Sequence, residues 1–129
     1  DIIAPFDTLI IGRIDSLAYS EINVLKASIY SAKIFAGNAM IRGPKYGKMA
    51  EKSLNTAIKF YSKNPRIYFL DGQGKYYMPS FIGGGIDKAL PLLKTAIEYY
   101  DEFQPEKYWP DWGREDCQIL YTKALNEKE

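Results

Sequence analysis

The chain has 129 residues, enough for one domain that buries about two thirds of its unfolded surface. Its composition is 47% hydrophobic and 26% charged, and its net charge of +1 gives no strong field toward nucleic acid or an anionic membrane. Histidine is absent and Cys117 is the single cysteine. These counts exclude intramolecular disulfides, histidine-dependent triads and zinc sites of the His/Cys type within one chain. No apolar run approaches the roughly 20 residues of a membrane helix.

Two helices are expected before residue 38. Apolar residues spaced by three and four within DTLIIGRIDSLA predict a helix over about 7–18, with Asp7 as its N-cap. Ser20 and Glu21 provide a second cap and a first-turn carboxylate, so we expect a new helix from Ser20 to about Gly37. The first helix would be half of an incomplete pair, and its open apolar face predicts self-association.

The next two helices are separated by a clear boundary signal. We expect residues 39–47 to be a connector, with Gly43-Pro44 starting a helix that runs to about Ser62. Asn64 followed by Pro65 combines a strong N-cap with the residue favoured at the first helical position, and predicts a helix from Pro65 to about Met78. Because its interior glycines cost about 1 kcal/mol each, we expect a close approach of the neighbouring helix.

Two further helices complete the chain. Pro79 ends the preceding helix, and the next is expected from near Asp87 to about Tyr100, with Pro91 in its first turn. Residues 104–110 read as a turn-rich linker. Asp111 is expected to cap a last helix over about 112–126. Its inward residues would be Cys117, Ile119, Leu120 and Ala124.

An internal repeat organises these helices. AEKSLNTAIKFY (50–61) and ALPLLKTAIEYY (89–100) agree at six positions with an offset of 39 (89 − 50 = 39). Self-similarity at 20–50 residues indicates an array of stacked units, in which neighbours bury what one hairpin cannot. The sequence predicts an all-α fold of antiparallel helix hairpins, with about six helices in one domain over 1–129. Its repeat-like units would cover about 20–62 and 64–101, followed by a terminal helix at about 111–127.

The repeated face resembles the second helix of a tetratricopeptide repeat, in which small and large apolar residues alternate at intervals of about four and three. The pattern is carried by Ala50, Leu54 and Ala57 and again by Ala89, Leu93 and Ala96, with Pro65 closing the first unit and Tyr68 and Gly72 in the following helix. The period of 39 exceeds the usual 34 residues, and the loops are longer. The resemblance implies a short right-handed array whose first helices line a concave face.

Several loop motifs are also similar to those of a group of exported bacterial proteins with tetratricopeptide-like folds. The motifs are INVLKASIY, IRGPKYG, NPRIYFLDGQ, FIGGG with KALPLL, and PDWGRE. The resemblance implies an all-α fold and export, and it assigns no chemistry. Since the sequence opens with Asp1, we expect a fragment or a processed form, and the resemblance implies a location in the periplasm or cell envelope.

We expect a non-catalytic scaffold that binds another protein or a peptide along the concave face. The groove candidates are Tyr30, Lys33, Arg66, Phe69, Gln73 and Tyr76. For most aromatic residues, packing between helices is the competing interpretation, and for Arg66 it is an ion pair or a capping contact. Neither a cofactor nor a metal is expected, nor are nucleic acid binding and membrane insertion.

The alternative hypothesis is a small-molecule binding or delivery subunit. Its pocket would be aromatic, deep and closed, near the glycine-rich loop at 83–85, with Tyr68, Tyr77 and Phe81 as lining residues. The three glycines could also bind an anion, although positive φ angles and tight packing explain them better. The charges from Asp111 to Asp116 are typical of a solvated first turn, and Cys117 of a small buried hydrophobe.

Overall fold

A computed structural model describes residues 16–103 and 111–128. These residues form five α-helices and one short 3-10 turn, with no strand in the two ranges, so the all-α class is confirmed. The helices are α1 (Ser16–Phe35), α2 (Ala39–Phe60), α3 (Pro65–Tyr77), α4 (Ile86–Glu102) and α5 (Arg114–Lys128), and the 3-10 turn is Ser80–Ile82. None of these helices combines the length and the apolar character needed to cross a bilayer.

The described residues form two compact units, which divide between Ser62 and Lys63. In the first unit α1 packs against α2, and in the second α4 packs against both α3 and α5. The expected single domain over 1–129, with repeat-like units at about 20–62 and 64–101, stays a prediction. The right-handed stacking of a tetratricopeptide array stays a prediction.

In the first unit, α1 continues without a break through Ser20, where a new helix is predicted. The Ser20 side chain is buried, and its hydroxyl donates a hydrogen bond to the carbonyl of Ala57 on α2 at 2.9 Å. The predicted boundary at Ser20 is therefore wrong, because this hydroxyl joins two helices instead of capping one. Of the helix expected over 7–18, residues 7–15 lie outside the described residues.

The second helix begins earlier than predicted. Asn38 is its N-cap, and the side-chain oxygen of Asn38 accepts a hydrogen bond from the Met40 amide at 3.0 Å. Residues 39–47 are consequently helical and not a connector, and Pro44 lies inside the helix. A proline there removes the bond that its amide would give to the carbonyl four residues earlier, a local cost that the rest of a 22-residue helix absorbs.

The helix after the boundary between the units begins at Pro65, as the Asn64-Pro65 pair predicts. The Asn64 side chain accepts from the Arg66 amide at 3.1 Å, and Pro65 occupies the first turn of α3. At Gly72 an added Cβ would lie 2.8 Å from Cδ2 of Leu93 and 2.9 Å from its Cγ. Gly72 thus lets α3 and α4 touch, which confirms the expected close approach. The space around Gly74 is open within 4 Å.

The second unit encloses its own apolar core. The core residues are Phe69, Ala89, Leu93, Ala96, Tyr100, Cys117 and Leu120. Two expectations for α5 are wrong. The helix begins at Arg114 instead of residue 112, after a Gly113 with φ of 98°. Ile119, expected to face inward, is 60% exposed. Gly113 is required because a Cβ there would overlap the Tyr100 hydroxyl, so the turn and not Asp111 sets the start of the helix.

Candidate functional site

Three of the six groove candidates are buried. Tyr30, Arg66 and Phe69 are exposed by 3%, 0% and 4%. The Tyr30 ring stacks on that of Tyr46 with centroids 6.4 Å apart, and the Lys33 ammonium lies 5.7 Å and 5.4 Å from the two ring centroids. Tyr30 and Phe69 therefore stabilise their own units, and placing them on an open binding face is corrected.

Arg66 is enclosed by aromatic rings of its own unit. Its guanidinium carbon lies 5.7 Å from the ring centroid of Tyr100 and 5.2 Å from those of Phe103 and Trp112. The Tyr100 hydroxyl also donates to the Trp112 carbonyl at 3.1 Å. This cation–π cluster fixes the start of α3 against the end of α4 and the residues before α5. Placing Arg66 as a groove candidate on an open face is corrected accordingly.

Tyr76 is tied to the end of α5. Its hydroxyl donates to the Glu127 carboxylate, with distances of 2.8 Å and 2.7 Å to the two oxygens, and this hydrogen bond raises the pKa of Tyr76. The Lys123 ammonium lies 5.7 Å from the Tyr76 ring centroid, and the Tyr77 ring meets it edge-on at 4.8 Å. Gln73, the remaining groove candidate on α3, is half-buried.

The three predicted pocket residues do not enclose one pocket. Tyr68 and Tyr77 are nine residues apart (77 − 68 = 9), or about 13 Å along α3. Tyr68 packs on Tyr99 with ring centroids 5.3 Å apart, and its partial burial raises the pKa of its hydroxyl. Tyr77 and Phe81 are 59% and 84% exposed. Tyr77 and Phe81 are therefore open to solvent and do not line the expected closed pocket.

We call the exposed apolar side chains of Tyr77, Phe81 and Ile82 the loop surface. Ile82 is 57% exposed, and it follows Phe81 in the 3-10 turn that leads out of α3. Three large apolar side chains within six residues are thus left in contact with water. Such exposure is typical of a binding surface when the residues are contiguous.

The glycines at 83–85 hold this turn against the end of α3. The Gly85 amide donates to the Lys75 carbonyl at 2.8 Å, and a Cβ on Gly84 would overlap the backbone of Met78. Gly83 and Gly85 have φ angles of 103° and 112°, which side chains disfavour. The glycine-rich loop therefore serves chain reversal and close packing, the favoured interpretation of the motif.

One positive charge lies beside the loop surface, and a second lies at the start of α4. The Lys88 ammonium donates to the Gly83 carbonyl at 3.1 Å, one residue after Ile82. Lys128, at the end of α5, pairs with Asp87 at 3.1 Å, so a second ammonium lies at the start of α4. An exposed aromatic surface beside ammonium groups can bind a flat apolar molecule that carries negative charge.

Other features of the described residues suit such a ligand less well. A shallow depression of about 390 Å³ at the start of α5 is lined by charged and polar residues, among them Asp111, Arg114 and Asp116. Cys117 is fully buried, and desolvation raises the pKa of its thiol to about 12. The described residues contain no group of three or more His, Cys, Asp or Glu placed to hold a metal ion.

The first unit has an apolar exposure of its own. Phe35, Met40 and Ile41, around the turn between α1 and α2, are 72%, 82% and 75% exposed. Sequence reasoning missed this set, and it also missed Ile82, Lys88 and Lys128. The apolar pair in SFIGGG, enclosed by helix-breaking residues, was the available signal for Ile82, whereas the two lysines meet the loop only through the fold.

No protein-family model matches the chain, and no curated protein does. Among solved structures, the chain is similar to the HusA haemophore from Porphyromonas gingivalis, with 32% identity and a TM-score of 0.77. The match covers 86% of this chain and 55% of the haemophore chain, so the chain spans about half the length of that protein. The similarity supports a helical protein of bacterial type and does not single out the tetratricopeptide family.

Proposed function

We propose that the chain is the binding part of a non-catalytic bacterial carrier of a small flat molecule, with haem as the candidate ligand. The observation that carries the proposal is the 32% identity to a haemophore over 86% of the chain. It favours the hypothesis of small-molecule delivery over that of a peptide scaffold. A location in the periplasm or cell envelope belongs to the same proposal.

The loop surface is the best candidate for the contact with such a ligand. Haem offers two wide apolar faces, which aromatic side chains contact by stacking. Phe81 is 84% exposed, so covering its ring would remove most of its apolar area from water. At about 25 cal/mol per Å², the gain is about 2 kcal/mol for this side chain alone.

The composition limits which side chains could coordinate the iron of haem. The chain has no histidine, the commonest axial ligand, and the buried Cys117 thiol stays protonated at neutral pH, which leaves tyrosine and methionine among the usual axial ligands. We infer that contacts with the ring supply most of the binding free energy. The iron-free ring should then bind with an affinity within about tenfold of that of haem, a difference of about 1.4 kcal/mol.

The test is an absorbance titration of the protein with haem, comparing Phe81→Ala with Phe35→Ala. Both substitutions remove an exposed phenylalanine ring, at 84% and 72% exposure, but from different units. Loss of about 2 kcal/mol predicts roughly 30-fold weaker binding for Phe81→Ala and no change for Phe35→Ala. The reverse order would locate the ligand elsewhere, and absence of binding to the unaltered protein would refute the function.

A peptide-binding scaffold has weaker support. Three of its six groove residues are buried, and Tyr76 is hydrogen-bonded to Glu127. Lys33 and Gln73 remain as partly exposed positions from that set. Capture of a stoichiometric protein partner that is lost on Gln73→Ala, together with absence of haem binding, would restore the scaffold as the better hypothesis.

A further inference from the structure

We propose that Lys88 and Lys128 form a carboxylate-binding rim on the loop surface, so that this site selects planar apolar rings that carry carboxylate groups. The inference rests on the proposed function, because it assigns the recognition of charge to the surface on which the ring would lie. It adds a ligand class: an anionic ring is accepted, whereas its neutral analogue loses the contact with the rim.

Lys88 is the better fixed of the two cations. Its ammonium lies 3.1 Å from the carbonyl oxygen of Gly83, the residue that directly follows Ile82. The positive charge is thereby held next to an apolar pair that is 84% and 57% exposed. An ammonium group has three donors, so the bond to Gly83 leaves two for a ligand.

Lys128 brings a second ammonium to the same end of the unit. It lies 3.1 Å from a carboxylate oxygen of Asp87, which precedes Lys88 in the first turn of α4. The two side chains of this pair are 57% and 84% exposed. Exposed pairs of this kind are worth little in water, so a ligand carboxylate can share or replace Asp87 as the partner of Lys128.

The contacts at the start of α4 and along the last turns of α5 bring together more positive than negative charges. Lys88, Lys123 and Lys128 contribute three positive charges, against the negative charges of Asp87 and Glu127. Glu127 accepts the hydrogen bond of Tyr76 and is thereby occupied. A net positive rim beside an apolar surface is complementary to an amphipathic anion: the apolar ring would contact the loop surface, and the carboxylate would contact the rim.

The experiment compares two fluorescent probes, pyrenebutyrate and the neutral pyrenebutanol, which share a flat apolar ring and differ in the carboxylate. Each is titrated into the unaltered protein, into Lys88→Gln and Lys128→Gln, and into Lys94→Gln as the control. Lys94 is an exposed lysine of the same helix, outside the contacts that form the rim. Protoporphyrin and its dimethyl ester provide the same comparison with a larger ring.

Each rim substitution should weaken binding of the anionic probe about three- to fivefold, the size expected for one exposed ion pair, and should leave the neutral probe unchanged. Lys94→Gln should change neither. Equal losses for both probes, or no loss for the anionic probe, would overturn the rim. Pyrenebutyrate binding that depends on Lys88, with no binding of haem, would sustain the rim and refute the proposed function. Failure of both pyrene probes to bind the unaltered protein would overturn the rim as well.

Discussion

Gly72 and Gly74 lie two residues apart in α3, and the structure predicts opposite effects when each is changed to alanine. Alanine favours a helix over glycine by about 0.8–1.0 kcal/mol at an interior position. At Gly74 nothing lies within 4 Å of the new methyl group, so Gly74→Ala should stabilise the protein by about 0.5–1 kcal/mol. The lower value reflects its place near the end of the helix.

At Gly72 the same gain is opposed by packing. The added Cβ would lie 2.8–2.9 Å from two atoms of Leu93, which is fully buried, and 3.3 Å from Cβ of Leu92. Overpacking of a core costs about 1–3 kcal/mol, so Gly72→Ala should be neutral to destabilising by about 2 kcal/mol. The difference between the two variants, about 0.5–3 kcal/mol, reports mainly the packing cost because most of the propensity gain is shared.

Urea denaturation followed by far-ultraviolet circular dichroism measures both free energies of unfolding. Stabilisation of the protein by Gly72→Ala to the same extent as by Gly74→Ala would refute the close contact of α3 with α4. The refutation would extend to the geometry of the second unit, since Leu93 lies in its core.

Three further predictions address other parts of the fold. Ser20→Asp should destabilise the protein by more than 2 kcal/mol in the same urea assay, because a carboxylate would replace a buried hydroxyl that donates to the Ala57 carbonyl. An unchanged stability would restore Ser20 as an exposed N-cap. Arg66→Ala should lower the free energy of unfolding by about 3 kcal/mol. Arg66→Met should lower it by less than half of that, because methionine keeps much of the volume between the rings. Equal losses for the two variants would argue against packing as the main role of Arg66. Cys117 should resist iodoacetamide at pH 9 in the folded protein and react in urea. Burial raises the pKa of the Cys117 thiol to about 12 in the folded state, from 9.0 without burial. The stability that this thiol contributes is therefore full below pH 9 and is lost as the pH rises toward 12. The loss is at most about 1.4 kcal/mol per pH unit.

The sequence predicts best where a local rule acts alone. Asn64-Pro65 sets the start of α3 through a side-chain cap and a fixed φ, and both are local. Ser20 satisfies the same capping rule, yet its hydroxyl bonds to a helix 37 residues away. Nothing near Ser20 in the sequence distinguishes the two uses of a serine, because the deciding contact is tertiary.

The candidate site also combines features that local sequence predicts with features that depend on tertiary contacts. The exposed apolar side chains of Tyr77 and Phe81 are visible in the sequence as residues beside a proline and a run of glycines. The cations that border them come from other helices: Lys88 bonds back to Gly83, and Lys128 follows 40 residues later (128 − 88 = 40). Their positions depend on how α4 and α5 pack, which helical periodicity does not specify.

Arg66 is the one charged residue among the three buried groove candidates. Its place on a first helix of the expected array made Arg66 a groove candidate, and charged residues are rarely buried in full. Three aromatic rings from the end of α4 and the segment before α5 instead enclose its guanidinium. The interaction joins residues up to 46 positions apart (112 − 66 = 46) and could not be read from local sequence.

The most direct test of the proposed carrier function is a titration of the purified protein with haem and, separately, with iron-free protoporphyrin, read by absorbance and by native mass spectrometry. The proposal predicts saturable binding of one ring per chain for both compounds, with affinities within about tenfold of each other. Saturable binding of haem alone would mean that the iron is ligated and would contradict the inferred ring contacts. Absence of saturable binding for either compound would contradict the carrier function itself.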